Sequence, residues 1–264
     1  MTSDQNTAPQ NEYKPGWVRD LLVALVFLTR LPVRLNFHFS MASLKSASRC
    51  FPLVGLVVGG VAGGVFLGAS LMGLSPLLSA FLSLAAQILL TGALHEDALG
   101  DVADGFGGGA TRSKKMEIMR DSRVGTYAVV ALILLVGIKA SALSSFNNPY
   151  AVFSVILCAA VTSRGMMVLG MYFLPSARTD GLGASAGKPS LMSCVWAFLF
   201  SAVITVSLLN PFIGSIALLA AIAGALIISL IAYRQIGGQT GDVLGSVQQI
   251  SEIFILIALA GALS

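Results

Sequence analysis

Apolar positions in this chain run together in long blocks. Four runs, residues 52–73, 124–145, 151–174 and 212–233, are each long enough to cross a hydrocarbon layer, which takes about 20 apolar residues in a helix. Shorter runs at 76–94, 191–209 and 247–264 also qualify. The pattern predicts an all-α, polytopic integral membrane bundle of about seven transmembrane helices, with residues 16–264 forming a single helical membrane domain. An earlier run, 21–33, is about 13 residues long and holds Arg30. It reads as an N-terminal interfacial or re-entrant helix and not as a span. Residues 1–15 read as a disordered tail by composition. A cleaved signal peptide is not expected, because the polar stretch before the run is long and carries Asp4, Glu12 and Asp20, and no small-residue cleavage site follows.

The connections alternate in character. Neutral turns lie at Ser75–Pro76, at 147–149 and at Asn210–Pro211, whereas the segments 34–51, 95–123, 175–190 and 234–246 are charged. Two spans separate each charged segment from the next, so all four fall on one side. They hold most of the chain's 16 Lys and Arg residues, and the positive-inside bias places them in the cytoplasm. In the first long span, Gly55, Gly59 and Gly63 recur at four-residue spacing beside Gly60, Gly64 and Gly68, a pattern that allows close helix contact in lipid.

Composition agrees with a membrane solvent. Apolar residues make up 56% of the 264 residues and charged residues 11%, against about 25% charged in soluble domains. The net charge of +4 is explained by topology, and no basic and aromatic patch points to nucleic acid. Cys50, Cys158 and Cys194 lack metal-type spacing and read as buried packing thiols.

Chemistry is concentrated in HEDALGDVADGFGGG, residues 95–109. Asp97, Asp101 and Asp104 stand at i, i+4 and i+7 and share one helix face. Carboxylates crowded at a bilayer edge repel one another and call for a cation. An oxygen-only set favours magnesium held partly by substrate phosphates. The alternative is neutralisation by Arg112, Lys114, Lys115, Arg120 and Arg123 in a solvated loop, although half of the chain's 12 acids fall between Glu96 and Asp121. GGQTGDVLG, residues 237–245, reads either as a phosphate cradle before a helix or as a turn capped by Asp242, with Glu252 further along. ARTDGLGASAGK, residues 177–188, offers Arg178, Asp180 and Lys188 among small residues, and a plain cytoplasmic loop is the favoured reading. Arg164 lies about 15 Å inside a span at 1.5 Å per residue, an intramembrane charge that marks a candidate site. Lys139 is expected to snorkel toward the opposite face. His95 beside the aspartates is a candidate proton acceptor or ligand-positioning group, whereas His38 reads as a loop histidine.

Together these residues resemble the cobalamin synthase family. HEDALGDVADGFGGG is followed by MRDSRVGTY (119–127), SARTDGLG (176–183) and GGQTGDVLG with Glu252, and is preceded by FLTRLPV (27–33) and FPLVG (51–55). The match runs in order over about 230 residues. Ala98 stands where the family pattern has glycine. The resemblance implies a magnesium-dependent transferase of the bacterial inner membrane. It would join adenosylcobinamide-GDP and α-ribazole, or α-ribazole 5′-phosphate, to give adenosylcobalamin or its phosphate and GMP at the cytoplasmic face. In this reading Asp97, Asp101 and Asp104 hold magnesium and, with His95, form the catalytic group. Arg30, Arg120, Asp121, Arg123, Arg164, Arg178, Gly238, Gln239, Thr240, Asp242 and Glu252 form the substrate-binding set. Expected partners are the two substrates and the lipid bilayer, with no nucleic acid.

Two other classes compete. A CDP-alcohol phosphatidyltransferase pattern shares Asp101, Asp104 and Gly105, but the chain then has Gly108 and Gly109 where that pattern expects alanine and arginine. A cation-coupled transporter would use intramembrane charge such as Arg164, but predicts internal repeats that the chain lacks.

Overall fold

The computed structural model describes residues 13–263, so most of the expected tail, residues 1–12, lies outside the described residues. Tyr13, at the end of that tail, is anchored: its ring packs 6.0 Å from Phe37 and its hydroxyl bonds Asp20 and Ser46.

Twelve α-helices are present among the described residues. Helix α1, Trp17–Leu28, is 12 residues long, about 18 Å, too short to cross a bilayer. It fulfils the expectation of a non-spanning N-terminal helix. Its Asp20 is fully enclosed and pairs with Arg49 at 2.6 Å, while the Arg49 guanidinium stacks 4.1 Å over Trp17. That pair fastens α1 to the short α2, Leu44–Ala47, and to the start of α3, Phe51–Leu71.

The predicted spans appear as α3, α4 (Pro76–Thr91), α7 (Thr126–Ser144), α8 (Pro149–Phe173), α10 (Leu191–Leu209), α11 (Pro211–Ile236) and α12 (Gly241–Leu263). Between them lie α5 (Leu94–Gly108), α6 (Arg112–Ile118) and α9 (Gly181–Ala186). Each neutral turn is a cap followed by a proline. Ser75 accepts from the Leu78 amide, Asn148 from Tyr150, and Asn210 from Phe212 and Ile213, and each precedes a proline that starts the helix. Among the described residues six helices are long and apolar enough to cross a membrane, and α4 and α5 meet that test when taken together as a bent pair. The chain is a multi-pass membrane protein.

Helices α8 and α12 are the most enclosed, whereas α7, α10 and α11 turn most of their surface outward. Leu219, Leu230 and Ile133 on those outer helices are exposed, as side chains facing acyl tails should be. The glycine stripe packs α3 on α8. A β-carbon at Gly55 would meet Val161 Cα at 2.6 Å and one at Gly59 would meet Leu157 Cα at 2.9 Å, whereas Gly60, Gly64 and Gly68 face open space. Close helix approach therefore uses one side of the stripe only.

The break between α4 and α5 shapes the site. Gly92 and Ala93 both take left-handed conformations, at φ 66° and 59°, and the axis turns by 91°. Since α4 runs with the bundle, α5 runs across its charged end and does not span. Arg30 braces the corner: its amide donates to the Leu90 carbonyl at 2.7 Å and its side chain fills the space that a β-carbon on Gly92 would take.

Candidate active site

Helix α5 carries the acidic stripe across the mouth of the bundle, over α12 and against the start of α7. Asp97 is exposed, Asp101 half-buried and Asp104 buried. The Asp101 carboxyl is pushed up to about 7, first by burial and then by the charges of Asp97, Asp242 and Asp104. A cation placed there would relieve the crowding.

Asp104 is held by the backbone at the start of α7. Its two oxygens accept from the backbone amides of Gly125 (2.6 Å) and Ala128 (2.9 Å), so it caps α7. Gly125 cannot do this itself, and a β-carbon there would meet Asp104 Oδ1 at 2.6 Å. Each Asp104 oxygen thus already holds a backbone amide, and of the three aspartates on the stripe Asp97 and Asp101 are the more open. Among the described residues no three His, Cys, Asp or Glu side chains gather closely enough to hold a metal by themselves. Asp104→Ala is expected to cost about 1–2 kcal/mol, seen as a lower thermal midpoint in detergent, while Asp97→Ala leaves the midpoint unchanged or raised.

The loops of the third and fourth charged segments are zipped together. Gln239 donates its amide to the Pro175 carbonyl (2.8 Å) and accepts from the Ala177 amide (2.9 Å), forming a single parallel bridge between Ser176 and Gln239. Gly238 allows this, since any β-carbon there would overlap the Pro175 carbonyl. Thr240, not Asp242, caps α12 through the Val243 amide at 3.3 Å. The expected phosphate-binding residues Gly238, Gln239 and Thr240 thus build the loop and cap, leaving Asp242 at the mouth, where its carboxylate lies 3.6 Å from Arg178. Arg112 joins the same assembly by donating to the Ala177 carbonyl at 2.8 Å. Arg120 bonds both oxygens of Asp180 at 2.6 and 2.7 Å.

A cavity of about 180 Å³ opens among these elements. Asp97, Asp242, Arg178 and His95 line it, together with apolar side chains from α1, α2, α3 and α8. Arg120 is paired with Asp180 outside the cavity lining, and Arg30 braces the corner described above. Asp121 and Arg123 form a local pair at the exposed surface (2.6 Å), in which the hydrogen bonds from Arg123 hold the Asp121 carboxyl down to about 2.

Beneath the cavity lies a second polar group that sequence reading did not assemble. Lys139 is buried and does not snorkel: it bonds Glu252 at 3.0 Å and Gln249 at 2.6 Å. Glu252, expected at the substrate, also accepts from Gln87 and Gln248 at 2.8 and 2.7 Å. Gln249 donates to Glu96 at 2.9 Å and Gln248 to Ser163 at 2.9 Å. Arg164 is fully enclosed, with one contact to the Ala160 carbonyl and none for its Nε and Nη2. It belongs to this interior group, not to the cavity wall. The signal was present in Gln248, Gln249 and Glu252, a polar stripe on an apolar helix, and in Gln87 within a span.

The sequence pattern of a family described as cobalamin-5-phosphate synthase matches residues 20–260. This chain belongs to that family. It is similar to proteins named adenosylcobinamide-GDP ribazoletransferase. The one from Bradyrhizobium diazoefficiens is 43% identical over 252 residues, covering 96% of this chain and 97% of the relative. The one from Mesorhizobium japonicum is 40% identical, covering 93% and 94%, and that from Brucella anthropi is 39% identical, covering 93% and 98%. No solved structure matches the chain. Family membership makes this membrane protein a transferase of cobalamin synthesis and removes the phosphatidyltransferase and transporter readings.

Proposed function

We propose that this chain joins adenosylcobinamide-GDP to α-ribazole or its 5′-phosphate at the cytoplasmic face of the bacterial inner membrane, releasing GMP. The observation that carries the reading is the single cavity in which Asp97, Asp242 and Arg178 meet apolar walls at the charged end of the bundle. In the reaction a ribose hydroxyl oxygen bonds the phosphorus on the cobinamide side, and the bond from that phosphorus to the oxygen of GMP breaks. Arg178 lies where its guanidinium fork can hold phosphate oxygens. Acceptors for the hydroxyl proton in the cavity are His95 and the carboxylates of Asp97 and Asp242.

The donor set fits magnesium. Asp97, Asp101 and Asp242 are all oxygen donors, their charges push Asp101 upward, and two or three carboxylates completed by phosphates and water suit this ion better than a closed protein cage. Bound there, magnesium would neutralise charge on the diphosphate and on the leaving GMP. Asp97 and Asp101 orient the diphosphate, and Asp242, held by Thr240 at 3.1 Å and by Arg178, closes the other side.

The test is GMP release by purified protein in lipid with both substrates. The complete mixture should release GMP, and removing magnesium with a chelator should stop release until the ion is restored. Folded protein that gives no GMP would overturn the assignment. Because Asp101 takes up a proton near pH 7, the magnesium concentration for half-maximal rate should rise as pH falls from 8 to 6.

A further inference from the structure

A second cavity, of about 410 Å³, opens at the charged end of the bundle between the chain before α1, the segment around α2 and the start of α10. Lys45 and Tyr13 line it with Ser40, Ser46, Ser190 and Ser193, and among the described residues it shares no lining side chain with the first cavity. Its polar groups are hydroxyls and one ammonium, and among the described residues Lys45 pairs with no acid. Asp20 is the only acid in residues 13–51, which carry six basic side chains. It is fully enclosed behind the wall, where it holds the hydroxyls of Tyr13 and Ser46 and is neutralised by Arg49 at 2.6 Å. The cleft therefore faces outward as a cationic, hydrogen-bonding surface.

One turn further along α10 the chemistry changes. Trp196 lies three residues beyond Ser193, about 4.5 Å deeper at 1.5 Å per residue and on the same side of the helix. It meets Trp17 edge-on with ring centres 5.5 Å apart and stacks on Phe200 at 5.8 Å. Both indoles are exposed, and they are the only two tryptophans in the chain. Indoles gather at the headgroup level of a bilayer, which puts the cleft at that level on its polar side. We propose that the cleft binds the phosphate of an anionic phospholipid of the adjoining leaflet, with an acyl chain against the Trp17–Trp196 pair, and so clamps α1 and α2 to α10. Hydroxyls and an ammonium supply hydrogen bonds and charge to phosphate oxygens. The aromatic pair one turn deeper supplies apolar surface, which a lipid uses and a free phosphate does not. The clamp bears on the first cavity, because α1 and α2 also supply its Phe27 and Leu44.

The experiment uses the full chain in phosphatidylcholine nanodiscs doped with a lipid brominated on its acyl chains, either phosphatidylglycerol or phosphatidylcholine. Bromine quenches indole at short range, and because both tryptophans stand at the site the intrinsic fluorescence reads lipid there and nowhere else. At equal mole fraction, brominated phosphatidylglycerol should quench about fivefold more effectively or better. Excess inorganic phosphate at constant ionic strength should not reverse this. Lys45→Gln should lower the preference by about fivefold, the weight of one basic side chain near an anionic surface. Lys114→Gln, which removes the same charge from α6, should change it by less than about twofold, since an exposed charge is screened over a Debye length. Ser190→Asp keeps the cap that Ser190 gives the Ser193 amide at 3.1 Å and adds a negative charge to the cleft. It should abolish the preference while leaving the thermal midpoint in pure phosphatidylcholine unchanged or raised.

Equal quenching by the two brominated lipids would overturn the inference. So would an equal loss in Lys114→Gln, the mark of diffuse attraction and not of a site, or displacement by inorganic phosphate, the mark of a soluble ligand. If Lys45→Gln does not fold, Ser190→Asp decides, because its charge and its cap act in opposite directions on binding and on stability; an intact preference there would sink the site. No substrate enters the measurement, so failure of the proposed reaction would leave the lipid site standing, and failure of the lipid site would leave the reaction standing.

Discussion

Asp97→Asn and Asp101→Asn, each assayed in lipid with saturating substrates, should lower GMP release by about a thousandfold, equivalent to about 4 kcal/mol of lost transition-state stabilisation. Both changes keep side-chain shape and remove charge. Stability should move the other way or not at all, because Asp97 is exposed and the Asp101 carboxyl is already strained by burial and by Asp97, Asp242 and Asp104. Unaltered thermal midpoints with lost turnover would be the signature of a functional acid pair. Near-normal turnover in either variant would remove that residue from the chemistry. Asp104→Asn should behave differently, losing stability first, because the amides of Gly125 and Ala128 need its two oxygens.

The second large effect is expected in the interior. Breaking a buried ion pair by removing one partner costs about 3–5 kcal/mol, because the other charge is left unpaired in a poor solvent for ions. Glu252→Gln should be the worse of the two single changes at the Lys139–Glu252 pair. It leaves two enclosed cations, Lys139 and Arg164, without their shared counter-charge. Lys139→Met leaves Glu252 balanced by Arg164 and by the amides of Gln87 and Gln248. Thermal unfolding in detergent should therefore rank the unaltered chain above Lys139→Met and Lys139→Met above Glu252→Gln. A Glu252→Gln midpoint equal to that of the unaltered chain would show that the pair does not support the bundle.

The interior group also bears on the site. Glu96 is the neighbour of Asp97, and its bond to Gln249 pins α5 on α12. Ser246 adds a bond to the Ala98 carbonyl at 3.3 Å, and Gly245 leaves room for Ala98 by lacking a β-carbon. Ala98 is thus accommodated by a glycine on the facing helix. The carboxylates are held at the bilayer edge by polar contacts made below them.

Several features were legible without coordinates because they depend on neighbours in sequence. Seven apolar runs became seven helices, three cap-and-proline turns fell where neutral residues interrupt them, and the run holding Arg30 proved too short to span. The clustering of chemistry at one end followed from charge alternating with span parity, and the ordered motifs pointed to the family. Helix length, hydropathy and capping are local properties, and the bilayer makes them strict because an unpaired backbone group has no water to turn to.

What only the tertiary structure decided is where each polar side chain finds its partner. Sequence placed Asp97, Asp101 and Asp104 on one stripe, but the start of α7 claims Asp104 through the Gly125 and Ala128 amides. Lys139 and Glu252 lie 113 residues apart, so neither predicts the other, yet both are drawn to the same contact because lipid offers no alternative ligand for either charge. The 91° corner at Gly92 and Ala93 carries no hydropathy signal, although it lays the acids across the cavity mouth. Partner choice in a bundle depends on which helix faces meet at which depth, and that is settled by packing over the whole fold.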